Sequence, residues 1–428
     1  MNKPPAEQIK VYLEHYGCTA NRLDSEILAG LLEQAGYQLV SSPKEANVAI
    51  INTCIVKGPT QRKMERRIRE LYSRLPVIVA GCFPQALKEY LIEKFPGISL
   101  VGCYSLHRIA EAVEAALSGR QCVFTDIEVT AEEKLALPKC RFNPLVEIVV
   151  IADGCIGACD YCVVKLARGW LKSASKEKIA KRIKHAVEKE GVKEVFLTAQ
   201  DTGIYGLDIN SSLVELLKEI LSSTNKFFKL RIGMMNPRAF MLLQEELLEL
   251  FEDERLYRFL HLPVQTGSNR LLQIMNRLYR AEEFLEAVKA VREFDKFFTV
   301  ITDIIVGHPL ETEEDYQQTL ELVKEAEPDN VFVSRFEPRP WTRAAEYRQL
   351  PGWLVKRRSR ELVRLVHELA RKRNEQWIGK KTRILVDKEP DARNDYYKIV
   401  VTGDKFAPGE VKEVVIRGAD HQQLYINS

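Results

Sequence analysis

The run Asp153-Gly154-Cys155-Ile156-Gly157-Ala158-Cys159-Asp160-Tyr161-Cys162 places three cysteines on one short loop, with the spacing C-x3-C-x2-C. Three thiolates can hold three irons of a cubane 4Fe–4S cluster and leave the fourth iron open. An open iron can chelate a small molecule through paired amino and carboxylate groups, and S-adenosylmethionine offers both. On spacing alone the loop also fits three-quarters of a zinc site, or a ferredoxin-like cluster completed by a distant cysteine. The surroundings of the loop must decide.

Working outward, the loop directly follows the first of six strand candidates: LVEIVVIAD (145–153), EVFLTAQD (194–201), FKLRIGMMNP (228–237), FLHLPVQTGS (259–268), FTVITDIIVGHP (298–309) and VFVSRFEPRP (331–340). Helical stretches separate them, near 175–190, 212–224, 239–252, 269–294 and 312–326. Six strand–helix units predict a partial (β/α)6 barrel of parallel strands, whose working residues sit at the C-terminal strand ends. Those ends are polar: Gln200 and Asp201, Asn236 and Pro237, Gln265, Thr266 and Ser268, then Gly307, His308 and Pro309. Amides, carboxylates and hydroxyls placed there can bind a ribose and a methionyl tail, although each also suits an ordinary helix N-cap. A zinc ribbon needs a second cysteine or histidine pair nearby, and His185 is the nearest histidine downstream.

On the N-terminal side, KVYLEHYGC (10–18), NVAIINTC (47–54), VIVAGC (77–82) and ISLVGC (98–103) alternate with helical stretches around 23–37, 58–75, 85–95 and 105–118. The alternation predicts a parallel-sheet domain over 8–122. Cys18, Cys54 and Cys82 each end a different strand. A free cysteine is often only a small buried hydrophobe, but a parallel sheet brings its carboxyl ends to one edge. Three thiols can converge there on a second cluster, with Cys103 as a rival or fourth ligand. The acidic stretch 126–139 reads as a linker, placed at 123–139, and the core follows over 140–374. The remainder, 375–428, holds short strand candidates TRILVD, YKIVVT, VKEVVIRG and QQLYINS, a small β-barrel module.

Net charge is only +3, so a nucleic-acid surface has to come from local clustering. Two basic stretches supply it. Arg62, Lys63, Arg66, Arg67, Arg69 and Arg74 follow Cys54, and Lys356, Arg357, Arg358, Arg360, Arg364, Arg371, Lys372 and Arg373 lie on a helix expected at about 354–376. The start lacks the apolar stretch of a signal peptide, and no run of about 18 apolar residues predicts a membrane span. The expectation is a cytoplasmic protein whose nine cysteines are not a disulfide scaffold; the clustered ones point to metal or redox chemistry, and Cys122 and Cys140, outside the pattern, read as packing residues.

Together these elements resemble the radical-SAM methylthiotransferase family over essentially the whole chain. The resemblance rests on Tyr16-Gly17-Cys18-Thr19-Ala20-Asn21, Asn52-Thr53-Cys54, Ala80-Gly81-Cys82, the loop Asp153–Gly169, His261 to Ser268 and Pro338-Arg339-Pro340. Val56-Lys57-Gly58-Pro59, Thr198 to Gly206 and Arg231 to Pro237 resemble the archaeal and eukaryotic branch, which acts on threonylcarbamoyl-adenosine at tRNA position 37. The resemblance implies two 4Fe–4S clusters, on Cys18, Cys54 and Cys82 and on Cys155, Cys159 and Cys162. It implies S-adenosylmethionine as radical source and methyl donor. It further implies a TRAM-like RNA-binding C-terminal module, a tRNA anticodon stem-loop as partner, an electron-donor protein and a sulfur donor. Arg168 becomes a candidate for the cofactor carboxylate, beside Gln200, Asp201, Asn236, Gln265 and Ser268; Arg62, Arg66, Arg67, Arg357 and Arg358 become candidates for RNA. Related substrates are isopentenyl-adenosine tRNA and a ribosomal-protein aspartate; a non-catalytic iron–sulfur RNA-binding protein is the rival of another class. Two departures stand out: Gly307-His308-Pro309-Leu310-Glu311-Thr312 differs from the family's usual Gly-Phe-Pro-Gly-Glu-Thr, and the hydrophobic C-terminal tail of eukaryotic members is absent.

Overall fold

The computed structural model describes residues 8–388, 391–403 and 406–427. The N-terminal sheet has six parallel strands, in spatial order Gln38–Val40, Lys10–His15, Val48–Thr53, Val77–Gly81, Ser99–Gly102 and Val123–Phe124. Its central strands are buried along their whole length, as expected where helices cover both faces of a parallel sheet. Two short edge strands, at 38–40 and 123–124, carry too little apolar sequence to be read beforehand. The four longer strands deliver Cys18, Cys54, Cys82 and Cys103 to one edge of the sheet.

The core strands lie in sequence order as two three-stranded parallel sheets. One joins Val146–Val150, Glu194–Thr198 and Lys229–Arg231; the other joins Phe259–His261, Thr299–Val306 and Asn330–Arg335. A parallel bridge from Leu230 to Leu256 continues the curve between them. The result is the open, curved barrel that six strand–helix units predict.

Two expectations are revised. Residues 123–139 are packed rather than loose: a short helix, Ala131–Lys134, is closed by a Thr130–Glu133 capping box. It carries Lys134 into the interior at 3% exposure, because two buried carboxylates require its charge. The helix expected over 269–294 is two helices, Asn269–Ile274 and Ala281–Phe294. Asn276, in left-handed backbone at φ 55°, ends the first one, and the break turns Arg277 towards the cysteine loop.

The long basic helix spans Gly352–Glu375. Beyond it, six short strands form one mixed sheet over residues 381–425. Antiparallel pairing dominates, with one parallel pair between 399–401 and 424–425. This is a curled half-barrel around Trp377, Ile384, Val386, Val400 and Leu424. Strand Asp391–Asn394 was not expected, VKEVVIRG (411–418) divides into Val411–Val415 and the start of Gly418–Ala419, and Ser428, the end of the expected last strand, lies outside the described residues. Among the described residues no helix is long and apolar enough to cross a membrane.

Candidate functional site

The loop bearing Cys155, Cys159 and Cys162 leaves the first core strand and is fastened from several sides. Asn276 Nδ2 donates to Ala158 O at 2.8 Å, and Asp160 N donates to Met275 O at 3.3 Å. Ala344 N donates to Asp160 O at 3.1 Å. Lys165 Nζ donates to Gly157 O at 3.1 Å and stands 3.3 Å over the Trp170 ring. His308, fully buried, lies 3.0 Å through Nε2 from Asp160 Oδ2. Its Nδ1 accepts from Leu310 N at 3.3 Å, which leaves the ring proton on Nε2 to be donated to the carboxylate. The departure at 307–310 is therefore a contact to the cysteine loop.

Donors are aimed at the sulfurs. Gly157 N donates to Cys155 Sγ at 3.2 Å, and Arg277 Nη1 donates to Cys159 Sγ at 3.1 Å. A Cβ at Gly157 would stand 3.3 Å from Cys155 Sγ, a tight contact, and 3.9 Å from Cys159 Sγ, an ordinary one. Burial pushes the Cys162 thiol up to about 11 and raises Cys155 as well. Metal coordination is what makes a thiolate of such a group.

The strand-end residues divide in two. Asp201, Asn236 and Ser268 are N-caps: Asp201 accepts from Gly203 N, Asn236 from Ala239 N and Ser268 from Leu271 N. Asn236 Nδ2 also donates to Asp201 Oδ2 at 2.7 Å, and Ser268 Oγ to Asp315 Oδ1 at 2.5 Å. These three brace the barrel mouth. Gln200 and Gln265 make no such side-chain bonds among the described residues. Gln200 Oε1 is buried without a hydrogen-bond partner in the protein, and Gln265 is held in left-handed backbone at φ 71°.

The second thiol set forms around Asn21, whose Oδ1 accepts from Cys18 Sγ at 3.7 Å and from Cys82 Sγ at 3.5 Å. Cys54 receives Val56 N at 3.5 Å. Its Cβ approaches Gly17, where an added Cβ would stand 2.9 Å away; Gly17 also sits at φ 123°, a conformation that favours glycine. Cys54 and Cys82 are buried and Cys18 opens to solvent. The thiols differ sharply. Burial pushes Cys54 up to about 12, whereas Cys103 and then the Arg168 guanidinium beside it hold the Cys82 thiol below its usual value, against the effect of burial.

Arg168 corrects a sequence-based expectation. Its side chain does not reach into the barrel mouth, because buried carboxylates hold it elsewhere. Nη2 lies 2.7 Å from Asp24 Oδ2, Nη1 lies 3.2 Å from Asp153 Oδ1, and Nε donates to Cys82 Sγ at 3.3 Å. Lys134 completes the group, 3.0 Å from Asp24 and 3.8 Å from Asp153. Two cations and two carboxylates thus neutralise one another in the interior, as buried charges must.

Most basic candidates for RNA are engaged. Arg358 is 2% exposed and paired with Glu311 and Glu313, so it is a structural residue; Arg357 shares Glu313. Arg62 forms a fork with Glu337, and Arg67 pairs with Glu14 and Glu70. Arg66, Lys57 and Lys63 are exposed, without ion-pair partners among the described residues. A groove of about 530 Å³ between the last core strand and the basic helix presents Arg335, Arg360 and Arg364, and no cysteine lines it.

Asn21, Lys134 and Arg277 were not singled out from sequence as site residues, whereas His308 was marked as a strand-end residue and as a departure from the family pattern, not as a partner of Asp160. Of the first three only Asn21 had a local signal, its place three residues after Cys18. Among the described residues no group of three or more His, Cys, Asp or Glu closes on a single metal ion.

Residues 149–323 match the family model described as the radical SAM superfamily, and residues 10–103 match the one described as uncharacterized protein family UPF0004. The chain is 43% identical to the probable threonylcarbamoyladenosine tRNA methylthiotransferase of Pyrococcus horikoshii, over 96% of this chain and 97% of that one. It is 34% identical to the threonylcarbamoyladenosine tRNA methylthiotransferase of Xenopus laevis, over 97% of this chain and 77% of that one. Among solved structures, the radical S-adenosylmethionine methyltransferase TsrM of Kitasatospora setae superposes with a TM-score of 0.55 at 16% identity, covering 79% of this chain and 77% of that one. That likeness is one of fold.

Proposed function

Because the chain belongs to the threonylcarbamoyladenosine tRNA methylthiotransferase family, we propose that it adds a methylthio group to carbon 2 of threonylcarbamoyl-adenosine at tRNA position 37. The observation that carries the reading is the pair of three-thiol sets, one at the mouth of the core barrel and one at the edge of the neighbouring sheet, joined through Arg168.

Cys155, Cys159 and Cys162 would hold one 4Fe–4S cluster, and Cys18, Cys54 and Cys82 a second. Bound at the core loop, a reduced cluster with S-adenosylmethionine supplies a carbon radical able to take hydrogen from an unactivated C–H bond, which no acid–base side chain can do. The chain's own residues hold and orient. Gly157 N–H and Arg277 steady the core-loop sulfurs. Gln200, whose Oε1 is buried without a partner, and Gln265 would contact the cofactor, while Asp201, Asn236 and Ser268 keep the strand ends in place. Arg168 Nε, donating to Cys82 Sγ, steadies that sulfur. Arg66, Lys57 and Lys63 on one side, and the C-terminal half-barrel on the other, would meet tRNA phosphates. An electron-donor protein and a sulfur source are required partners.

The test is mass spectrometry of tRNA nucleosides from a host lacking this activity, with and without the expressed gene. The expected result is a methylthio increment on threonylcarbamoyl-adenosine that disappears with Cys155→Ala. An increment on isopentenyl-adenosine instead would overturn the substrate, and no increment on any nucleoside would overturn the tRNA reading.

A further inference from the structure

The segment after the last core strand runs between the two thiol sets. Near its start, Arg62 of the N-terminal helix Gly58–Tyr72 forks onto Glu337, and Arg339 Nη2 donates to Gln61 Oε1 at 2.6 Å. Arg339 also lies within electrostatic reach of Cys54. At its far end, Ala344 N donates to Asp160 O, inside the Cys155–Cys162 loop. Between these anchors the chain makes a tight turn. Thr342 donates to Arg339 O through both N and Oγ1, at 3.3 and 2.8 Å, and Thr342 is buried.

Residues 339–342 therefore form a four-residue turn with Pro340 and Trp341 at its centre. Trp341 takes φ 59°. A turn with proline at its second position and positive φ at its third is the type II pattern, which asks for glycine there. This chain places its bulkiest side chain at that point, against the backbone preference. Packing does not explain the choice: Trp341 is 72% exposed, and no ring or cation contact to it occurs among the described residues. Strain of this kind persists where function requires it. Two residues on, Arg343 is exposed and has no ion-pair partner among the described residues.

We propose that Trp341 is a stacking platform for an unpaired RNA base, held between the two thiol sets where the substrate nucleotide must enter. The proposal rests on the tRNA reading above and adds a recognition residue to it. Sequence-specific RNA recognition works on splayed loop bases, and a rigid exposed indole offers them a π-face. Exposed Arg343 beside it, with Lys57 at the start of the facing helix, supplies charge for the flanking phosphates.

The test uses the full chain with its clusters loaded, under anaerobic conditions. Affinity is measured by fluorescence anisotropy for a synthetic RNA hairpin with an adenine-containing open loop, and for a blunt RNA duplex of equal length. Trp341→Gly should weaken hairpin binding by about 5- to 150-fold, the range expected for one stacked base. It should leave duplex binding unchanged and keep or raise the melting temperature, since glycine suits the turn. Trp341→Phe should restore most of the hairpin affinity. Hairpin affinity undiminished in Trp341→Gly would overturn the proposal and leave the indole to a protein partner. Equal losses on hairpin and duplex would overturn it too, by showing a non-stacking effect. Failure of the unsubstituted protein to bind the hairpin would overturn the tRNA reading itself.

Discussion

Arg168 Nε donates to Cys82 Sγ at 3.3 Å, although the arginine follows the core cysteine loop on the short helix Val164–Arg168 and the cysteine opens the helix Cys82–Lys94 at the edge of the N-terminal sheet. The same guanidinium is clamped by Asp24 from that sheet's first helix and by Asp153 from the core. Tyr104 Oη donates to the Arg168 carbonyl at 2.5 Å, and Cys103 Sγ to the Ala167 carbonyl at 3.4 Å. One turn of chain thus fixes the distance and orientation between the thiol sets. Chemistry that needs two centres to act on one base depends on such fixed placement.

Arg168→Met should destabilise the protein by about 3–5 kcal/mol, the usual cost of leaving buried charge uncompensated. Lys134 alone would then face both Asp24 and Asp153. Arg168→Lys keeps the charge but loses the fork, and should recover part of the loss. Urea unfolding midpoints read both values. A midpoint unchanged in Arg168→Met would show that the network carries no net stability.

The two thiol sets should fail differently. Cys155→Ala, Cys159→Ala and Cys162→Ala should abolish reductive cleavage of S-adenosylmethionine. Cys18→Ala, Cys54→Ala and Cys82→Ala should leave cleavage partly intact while abolishing methylthio product. Chromatographic assay of 5′-deoxyadenosine alongside modified nucleoside separates these outcomes. Cleavage at the unsubstituted rate in Cys155→Ala would falsify the assignment of the core loop.

What could be read from the sequence followed short-range rules. Cysteines at the ends of buried strands such as 48–53 and 77–81 announce a shared sheet edge, and the spacing 155–159–162 announces a loop of ligands. What could not be read depended on long-range partners. Arg277 meets Cys159 across 118 residues, and nothing in its helix-breaking turn marks it as a sulfur donor. Arg358 and Arg66 look alike in a basic run, yet tertiary packing buries one against Glu311 and exposes the other. The stretch 126–139 reads as a linker because its composition is acidic; that Lys134 is its essential member follows only from Asp24 and Asp153 in the fold.

His308→Ala should cost about 1–3 kcal/mol, because Asp160 would keep a buried carboxylate without its donor. Asp160 Oδ1 already has no partner, so the Nε2 contact at 3.0 Å is the side chain's one hydrogen bond among the described residues. His308→Gln, which restores an N–H, should cost less than half as much. Since Asp160 lies between Cys159 and Cys162, bound iron per chain should fall with His308→Ala. Thermal melting and iron analysis check both effects; a full iron complement at unchanged melting temperature would remove His308 from the support of the loop.

Glu194 gives the chain a defined pH dependence. Its carboxyl sits at the start of a core strand, 1% exposed, accepting from Tyr257 Oη at 2.5 Å with Arg393 4.0 Å away. Burial pushes it up from 4.5 to about 7, against the pull of Arg393 and Arg231 and with the help of Asp387. A carboxyl raised in the folded state binds its proton more tightly folded than unfolded, so its contribution to stability falls as pH rises from about 4.5 through about 7 and is constant above. The loss is on the order of 3 kcal/mol. Glu194→Gln keeps an acceptor for Tyr257 and removes the titration. The variant should match the unsubstituted protein near pH 4.5 and exceed its stability at pH 8, the gap opening between those values. Urea midpoints across that range measure the gap, and parallel curves would show that Glu194 does not titrate there.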